Sequence, residues 1–382
     1  MATWQAVEQR QGAIPWYVWC AALAITSAII GGQWDISWHT SIGRDTFWTP
    51  AHIAIYMCGI LAGIACGYLI LHTTFARGAD GSAVSILGFR GPLGAFIAAW
   101  GGIAMLTSAP FDNWWHDAYG LDVKIVSPPH LVLLSGVFAI ALGALILTLG
   151  YMNRASDKLR NRLGWIFLYV GGLIVVNLQI VLMEYNNRVF LHSTLPYRLM
   201  SILVPFALAG IARASTQKFA ATIVTVFYTA LNIGLILILP LFPAQPKLGP
   251  VYHDVTQFIP PQFPILLIVP AFCLDLLWQR TGSWNKWLVA AFSGLIFAGA
   301  LLAVEWPFAG FLMSPASKNA FFGTNYFGYY VRPQSFIMRG QFRFLDQNTA
   351  AFWMNMGLAA VFAALSTRLG LAWGEWMKRV VR

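Results

Sequence analysis

Long apolar runs separated by short polar segments make up most of this 382-residue chain. A helix needs about 20 apolar residues to cross a hydrocarbon core about 30 Å thick. By this criterion the pattern predicts about ten transmembrane helices, of which the sixth is the shortest. The predicted spans lie at approximately 16–32, 51–71, 91–109, 130–151, 164–183, 198–213, 218–241, 262–279, 287–304 and 350–370.

The composition supports the same fold class. Hydrophobic residues make up 58% of the chain and charged residues 10%, whereas soluble domains carry about 25% charged residues. The sequence therefore predicts an all-α, polytopic integral membrane protein.

The distribution of charge predicts an orientation. The net charge is +10, and most Lys and Arg residues fall on one face of the predicted topology, including the basic run at 152–163. Positive loops mark the cytoplasmic side, so we expect both termini to be cytoplasmic, in an inner membrane. The charge is explained by topology, and we infer no nucleic-acid binding. The basic run also suggests two domains, 1–155 and 156–382, the second with a long outer loop at 305–348.

Two polar segments interrupt the apolar pattern with the same order of residues. They read WDISWHTSIGRDTFWTPAH at 34–52 and FDNWWHDAYGLDVKIVSPPH at 111–130. In each, an Asp precedes a His by four residues, and a second His follows the next Pro. The repeated residues are Asp35, His39 and His52 in the first segment and Asp112, His116 and His130 in the second. The predicted topology places both segments on the outer, periplasmic face.

A carboxylate with two imidazoles is a donor set that suits copper, zinc or iron. Residues four apart share a helix face, so the Asp and first His of each segment can bind one ion together, with the second His supplied by the next helix. The alternative is that these are interfacial polar residues within an aromatic belt of Trp. Asp45 and Asp122, also repeated, are predicted to support the ligands or cap a helix rather than bind metal.

A few other polar residues are candidates for a role. Glu184, Asn187 and His192 are candidates for a third polar site; the alternative is a hydrated loop or a salt link to Arg188. Asp275 and Glu305 lie at or within apolar segments, where we predict buried hydrogen-bond partners rather than catalysis. The four cysteines, all within apolar runs, are predicted to be packing residues.

At its first polar segment the chain resembles the C subunit of the copper membrane monooxygenases, the particulate methane and ammonia monooxygenases. The stretch WHTSIGRDTFWTPAHI is similar to the family's Asp-x3-His-x12-His copper site, which implies copper ligands at Asp35, His39 and His52. The family's second site has Asn-x3-His-x13-His. Here Asp112 replaces that Asn, ahead of His116 and His130, and adds a negative charge, so we expect the second site to differ from the first.

The C-terminal half resembles, more weakly, the family's A subunit, in PPQFPILLIVPAFCLD, EWPFAGFLMSP and GTNYFGYYVRPQSFIMRGQFRFL. The resemblance implies a C–A fusion that hydroxylates a small apolar substrate, a short hydrocarbon or ammonia, with O2 at one or two copper sites. It also implies a quinol or other electron donor, a periplasmic cupredoxin-like B-subunit partner and a homotrimer.

Two other functions remain open at this point. The outward-facing Asp and His residues could capture copper for handling or transport without oxygen chemistry. Transport would require a polar or Met-lined route, and the spans contain few ionisable residues. The chain could also be a catalytically silent subunit that binds zinc.

Overall fold

The computed structural model describes residues 13–75, 83–120 and 127–381. Within these residues the chain forms ten α-helices joined by short turns and irregular segments. The helices are α1 (Trp16–Ser41), α2 (Pro50–Phe75), α3 (Leu93–Tyr119), α4 (Pro128–Arg154), α5 (Asp157–Leu182), α6 (Thr194–Ala214), α7 (Ala220–Ile238), α8 (Ile268–Arg280), α9 (Lys286–Leu312) and α10 (Thr349–Met377).

Nine of the described helices are long and apolar enough to cross a membrane. This confirms the all-α polytopic fold, including the sixth span, where α6 has 21 residues. The exception is α8, whose 13 residues rise about 20 Å at 1.5 Å per residue. The prediction began this helix at residue 262, but Pro264 lacks a backbone N–H and disfavours helical geometry in the residue before it. The helix begins only at Ile268.

The outward surface of α2 is apolar, as a lipid-facing helix requires. Ile53, Ile60, Ile64 and Leu71 are each at least two-fifths exposed and recur at steps of seven, four and seven residues. This spacing keeps them on one side of the helix. In water such a stripe would be costly, whereas in lipid it is compatible with the surroundings.

Two predicted loops are partly helical. Only Ala155 and Ser156 separate α4 from α5. The prediction that the basic run at 152–163 forms a loop is therefore wrong. Arg154 in the last turn of α4 and Asp157 in the first turn of α5 carry the charges that complement the helix dipoles. Helix α9 likewise continues through Pro307 to Leu312, so the long loop predicted at 305–348 begins at residue 313 rather than 305.

The chain divides into two compact units. The first contains residues up to Gly32, then Phe47–Ile174 and the C-terminal residues from Trp376. The second contains Gln33–Thr46 and Val175–Glu375. Helices α1, α5 and α10 each contribute residues to both units, so the units do not coincide with the two halves predicted from the basic run.

In the first unit, α3 and α4 pack against each other along a line of glycines. A Cβ on Gly94 would lie 2.4 Å from the Leu147 backbone N, and one on Gly101 would lie 2.6 Å from the Gly136 carbonyl oxygen. A Cβ on Gly143 would lie 2.6 Å from the Ala98 backbone N. Small residues let helix backbones approach closely in membranes. We call this contact the glycine seam (Gly94, Gly101, Gly136 and Gly143).

A short antiparallel hairpin, β1 (Val84–Ile86) and β2 (Phe89–Gly91), precedes α3. Its turn residues Leu87 and Gly88 both have positive φ, 51° and 84°, which is typical of a type I′ turn. No strand was predicted here. A two-stranded hairpin of this size does not alter the all-α class.

In the second unit, the buried acids have the hydrogen-bond partners predicted for them. Asp275 accepts hydrogen bonds from the backbone N–H of Ala221 and from the backbone and hydroxyl of Thr222, at the start of α7. Glu305 accepts one from the Leu266 backbone N–H at 2.8 Å. Both carboxylates thus satisfy main-chain donors beside irregular segments, which is a structural role.

Candidate metal centres

The last two turns of α1 carry Asp35 and His39 on one face. The helix ends where the backbone N–H groups of Ile42 and Gly43 both reach the Trp38 carbonyl oxygen, at 2.7 and 3.1 Å. Gly43 has φ +91°, and a Cβ there would lie 2.1 Å from the Tyr329 hydroxyl oxygen. Only glycine fits both the left-handed backbone and this contact.

The turn at Gly43 brings Asp45 back to His39. The Nε2 atom of His39 lies 3.3 Å from a carboxylate oxygen of Asp45 and 3.7 Å from one of Asp35. One carboxylate oxygen of each Asp lies within 4.8 Å of the other. We call Asp35, His39 and Asp45 the first cluster. Its three members lie within eleven consecutive residues. It includes Asp45, which the sequence predicts to support the ligands or cap a helix rather than to bind metal.

His52 lies on the first turn of α2, as predicted. Pro50 is the first helical residue, where its missing N–H costs nothing. The imidazole of His52 is partly buried, and its ring centre lies 6.0 Å from that of Tyr56, one turn further along. His52 belongs to the first unit, whereas the first cluster belongs to the second unit.

The second polar segment is assembled by helix packing. Asp112 and His116 lie on the last two turns of α3, and His130 lies on the first turn of α4. The antiparallel register of the glycine seam, continued along both helices, brings Asp112 opposite His130. The Ser127 side chain caps α4 by accepting a hydrogen bond from the His130 backbone N–H at 3.4 Å.

In this second cluster (Asp112, His116 and His130) the carboxylate lies between the two imidazoles. The Nε2 atom of His116 is 3.4 Å from one Asp112 oxygen, and the Nε2 atom of His130 is 3.4 Å from the other. The three side chains are between 20% and 29% exposed. The Oδ1 atom of Asp112 is buried and accepts no hydrogen bond from the described residues.

The contacts within the second cluster are long for hydrogen bonds. A good N–H···O bond has a donor–acceptor distance of about 2.7–3.2 Å, shorter than the 3.4 Å contacts of the second cluster. Two ligand atoms that are each about 2.1 Å from a tetrahedral metal are roughly 3.4 Å apart. The carboxylate and imidazole donors of the two clusters are of the types that suit a borderline transition metal such as copper, zinc or iron.

Aromatic side chains lie on the same helix turns as Asp112 and His116. Phe111, Trp114, Trp115 and Tyr119 lie on the same turns of α3, and the Trp115 and Tyr119 rings are 4.5 Å apart. Trp114 and Tyr119 are more than half exposed. Exposed Trp and Tyr at a helix end are typical of a membrane interface, which is what the aromatic-belt alternative predicts for this segment. Asp122 lies outside the described residues.

The proposed third site is not formed. His192 is packed between the rings of Trp306 and Phe342, at 4.3 and 3.7 Å, and its Nε2 lies 2.9 Å from the Trp306 carbonyl oxygen. The Asn187 side chain caps a short 3-10 turn by accepting from the Val189 backbone N–H. Glu184 is exposed. The four cysteines are free thiols.

Comparison with known proteins gives no further guide, since no family model, curated protein or solved structure matches this chain. The function must therefore be argued from the two clusters and from the residues of the motif.

Proposed function

We propose that this protein is a copper-dependent membrane monooxygenase, or the membrane subunit of one, that hydroxylates a small apolar substrate such as a short hydrocarbon or ammonia. The observation that carries the proposal is the second cluster, in which two imidazoles lie 3.4 Å from one carboxylate at the ends of two apolar helices. The resemblance of the first segment to a copper-site motif is its second support.

Asp112, His116 and His130 would hold copper in the second cluster. Asp35 and His39 would hold it in the first, with His52 as the further ligand that the sequence motif implies. Bound copper would supply the binding and activation of O2. Among divalent first-row metals Cu²⁺ binds N/O sites most tightly, which favours copper over zinc or iron on chemical grounds.

The aromatic residues on the same helix turns as the second cluster would also act on the substrate. The rings of Phe111, Trp115 and Tyr119, on the same turns of α3 as Asp112, would form an apolar surface that admits a small apolar molecule and limits the access of water. The exposed Trp114 would face the membrane interface, where apolar substrates concentrate. The Asp112 carboxylate would balance the positive charge of a bound metal and orient both imidazoles.

The same proposal extends to location and partners. The protein would lie in a cytoplasmic membrane with both termini inside and both clusters toward the periplasm. It would work as a homo-oligomer, a trimer by family resemblance, with a periplasmic cupredoxin-like subunit and a quinol or another electron donor.

Oxygen uptake tests the proposal. Protein purified in native lipid is loaded with copper and reductant, and O2 consumption and hydroxylated products are measured with short alkanes and with ammonia. We expect substrate-dependent uptake that is lost in His116→Ala and kept in Asp117→Ala, a neighbouring acid bonded only to Asn113 among the contacts described. Bound copper without uptake would favour copper handling, and absence of copper would contradict both functions.

A further inference from the structure

A cavity of about 220 Å³ lies within the second unit, apart from both clusters. It is lined by the end of α1, the segment after α5, the proline-rich segment 259–263 and the loop 322–331. Gln33, Ser37 and Thr40 of α1 face it and share one side of the helix. Asp35 and His39 lie on a different side of the same turns, so the cavity is separate from the first cluster.

Two side chains in this wall carry polar atoms that have no hydrogen-bond partner among the described residues. Gln33 and Asn186 are 5% and 7% exposed. Among the described residues, the Gln33 Oε1 atom and both the Oδ1 and the Nδ2 atoms of Asn186 make no hydrogen bond. Buried polar groups without partners are rare and costly. By contrast, the Ser37 hydroxyl in the same wall donates to the Ile259 carbonyl. The unpartnered atoms therefore point to a ligand.

Aromatic side chains and a cation also line the cavity. Phe263, Phe327 and Tyr330 line the cavity together with Arg188, whose guanidinium lies 5.3 Å from the Phe327 ring centre. Burial lowers the pKa of Arg188, although an arginine side chain stays protonated. The cavity thus combines flat apolar surfaces with a guanidinium and amides.

The size of the cavity limits its occupant. An engineered cavity of about 150 Å³ takes up benzene, whereas one water occupies about 30 Å³ of the liquid. A volume of about 220 Å³ therefore accommodates a six-membered ring with a substituent.

We propose that this cavity binds a small molecule with a hydroxyl group on a ring-sized apolar body, a phenol or a cyclic alcohol. A hydroxyl group both donates and accepts a hydrogen bond. It can donate to the amide oxygen of Gln33 or Asn186 and, at the same time, accept from the amide nitrogen of Asn186 or the guanidinium of Arg188. Ethers, ketones and carboxylates only accept and would leave the amide oxygens unpartnered. The aromatic side chains would pack against the ring. This binding does not rest on the metal centres or on oxygenase activity.

Binding of fluorinated probes tests the proposal. ¹⁹F NMR of the full chain in lipid nanodiscs, with empty nanodiscs subtracted for partition into lipid, gives affinities for 4-fluorophenol, for 4-fluorocyclohexanol and for fluorobenzene. We expect 4-fluorophenol to bind saturably and at least tenfold more tightly than fluorobenzene. The two hydroxylated probes distinguish an aromatic from an aliphatic ligand.

Matched variants localise the binding. Asn186→Leu and Gln33→Leu keep similar side-chain volumes, and we expect each to weaken 4-fluorophenol at least tenfold while leaving fluorobenzene unchanged. Asn177→Leu is the control, because Asn177 is 2% exposed and its Nδ2 also lacks a partner among the described residues, but it does not line the cavity. Equal affinity of the hydroxylated and plain probes, or unchanged binding in both variants, would overturn the proposal. Absence of saturable binding would also overturn it and would indicate a cavity filled by water only.

Discussion

The two clusters have similar residues but are built in different ways. The first is local: one helix end and one turn bring two carboxylates to the single imidazole of His39, at 3.3 and 3.7 Å. The second depends on the packing of α3 against α4, which brings two imidazoles to the single carboxylate of Asp112, at 3.4 Å each. The first cluster is therefore rich in carboxylate and the second in imidazole.

This difference changes the interpretation of Asp112. The family that the chain resembles has Asn at this position, and this substitution predicts that the second site differs from the first. In the structure Asp112 is the group that both imidazoles contact, so its charge would be balanced by a bound metal. The first cluster has a second carboxylate in Asp45, which can partly replace the loss of Asp35. The two clusters should therefore respond differently to the same change.

Loss of a carboxylate should cause the largest change in copper affinity. We expect Asp112→Ala to weaken copper at the second cluster at least 100-fold, about 2.7 kcal/mol, because both imidazoles lose their shared contact. Asp35→Ala should weaken copper at the first cluster only about tenfold, since Asp45 stays 3.3 Å from His39. Copper titration with a competing chelator measures both affinities, with Asp117→Ala as control. Equal losses in the two variants would remove the proposed distinction.

The glycine seam gives the next largest effect. A Cβ on Gly101 would lie 2.6 Å from a backbone oxygen of α4, so Gly101→Ala must push the helices apart, at a cost of about 1–3 kcal/mol. We expect lower thermal stability and weaker copper at the second cluster, with the first cluster unchanged.

The control is Gly63→Ala on α2, where a Cβ meets nothing within 4 Å and helix propensity favours alanine by up to about 1 kcal/mol. If Gly101→Ala proved as stable as Gly63→Ala, the close approach of α3 and α4 would be refuted.

The turn at Gly43 should affect the first cluster alone. Gly43→Ala places a Cβ 2.1 Å from the Tyr329 hydroxyl in a backbone with φ +91°, and we expect a cost of about 2 kcal/mol. Copper at the first cluster should weaken as Asp45 moves from His39. Gly120→Ala at the end of α3 has a similar φ of +87° but open space, so it should cost less. A larger effect of Gly120→Ala on stability would contradict this account.

The smallest effect concerns Asp346, which lies in the second unit but in neither cluster. Partial burial raises its pKa, but hydrogen bonds from Thr194 and Asn355 and the charge of Arg198 outweigh burial, so the folded-state pKa lies below the ordinary value. Its contribution to stability is then present above about pH 4 and is lost as pH falls through the folded-state pKa.

Unfolding of wild type and Asp346→Asn between pH 7 and pH 3 measures this contribution. The difference in stability should shrink toward pH 3, while copper binding at pH 7 stays unchanged in both clusters. A difference in stability that is constant across this range would show that ionisation of Asp346 does not contribute.

The fold could be predicted because the length of an apolar run is a local property. The paired Asp and His residues could be predicted for the same reason, since residues four apart must share a helix face. The contact between Asp45 and His39 depends on a left-handed glycine and on Tyr329, nearly 290 residues away in sequence, which no local pattern shows.

The glycine seam and the cavity were also missed. Gly94 and Gly101, like Gly136 and Gly143, are seven residues apart, a spacing that indicates a close helix contact and was available in the sequence. The pairing of α3 with α4 in register was not, because it depends on long-range packing. Gln33 and Asn186 lie 153 positions apart in the chain, and neither is unusual until the structure shows that both are buried without partners.

The central claim is that the chain holds two separate copper ions at two Asp/His clusters. Copper content per chain, measured with electron paramagnetic resonance on protein in native lipid, tests it directly in wild type, His39→Ala, His116→Ala and the double variant. We predict two copper ions in wild type, one in each single variant with a different spectrum remaining, and none in the double variant. Copper content that is unchanged by both substitutions, or wild-type protein without copper from copper-replete membranes, would contradict the claim.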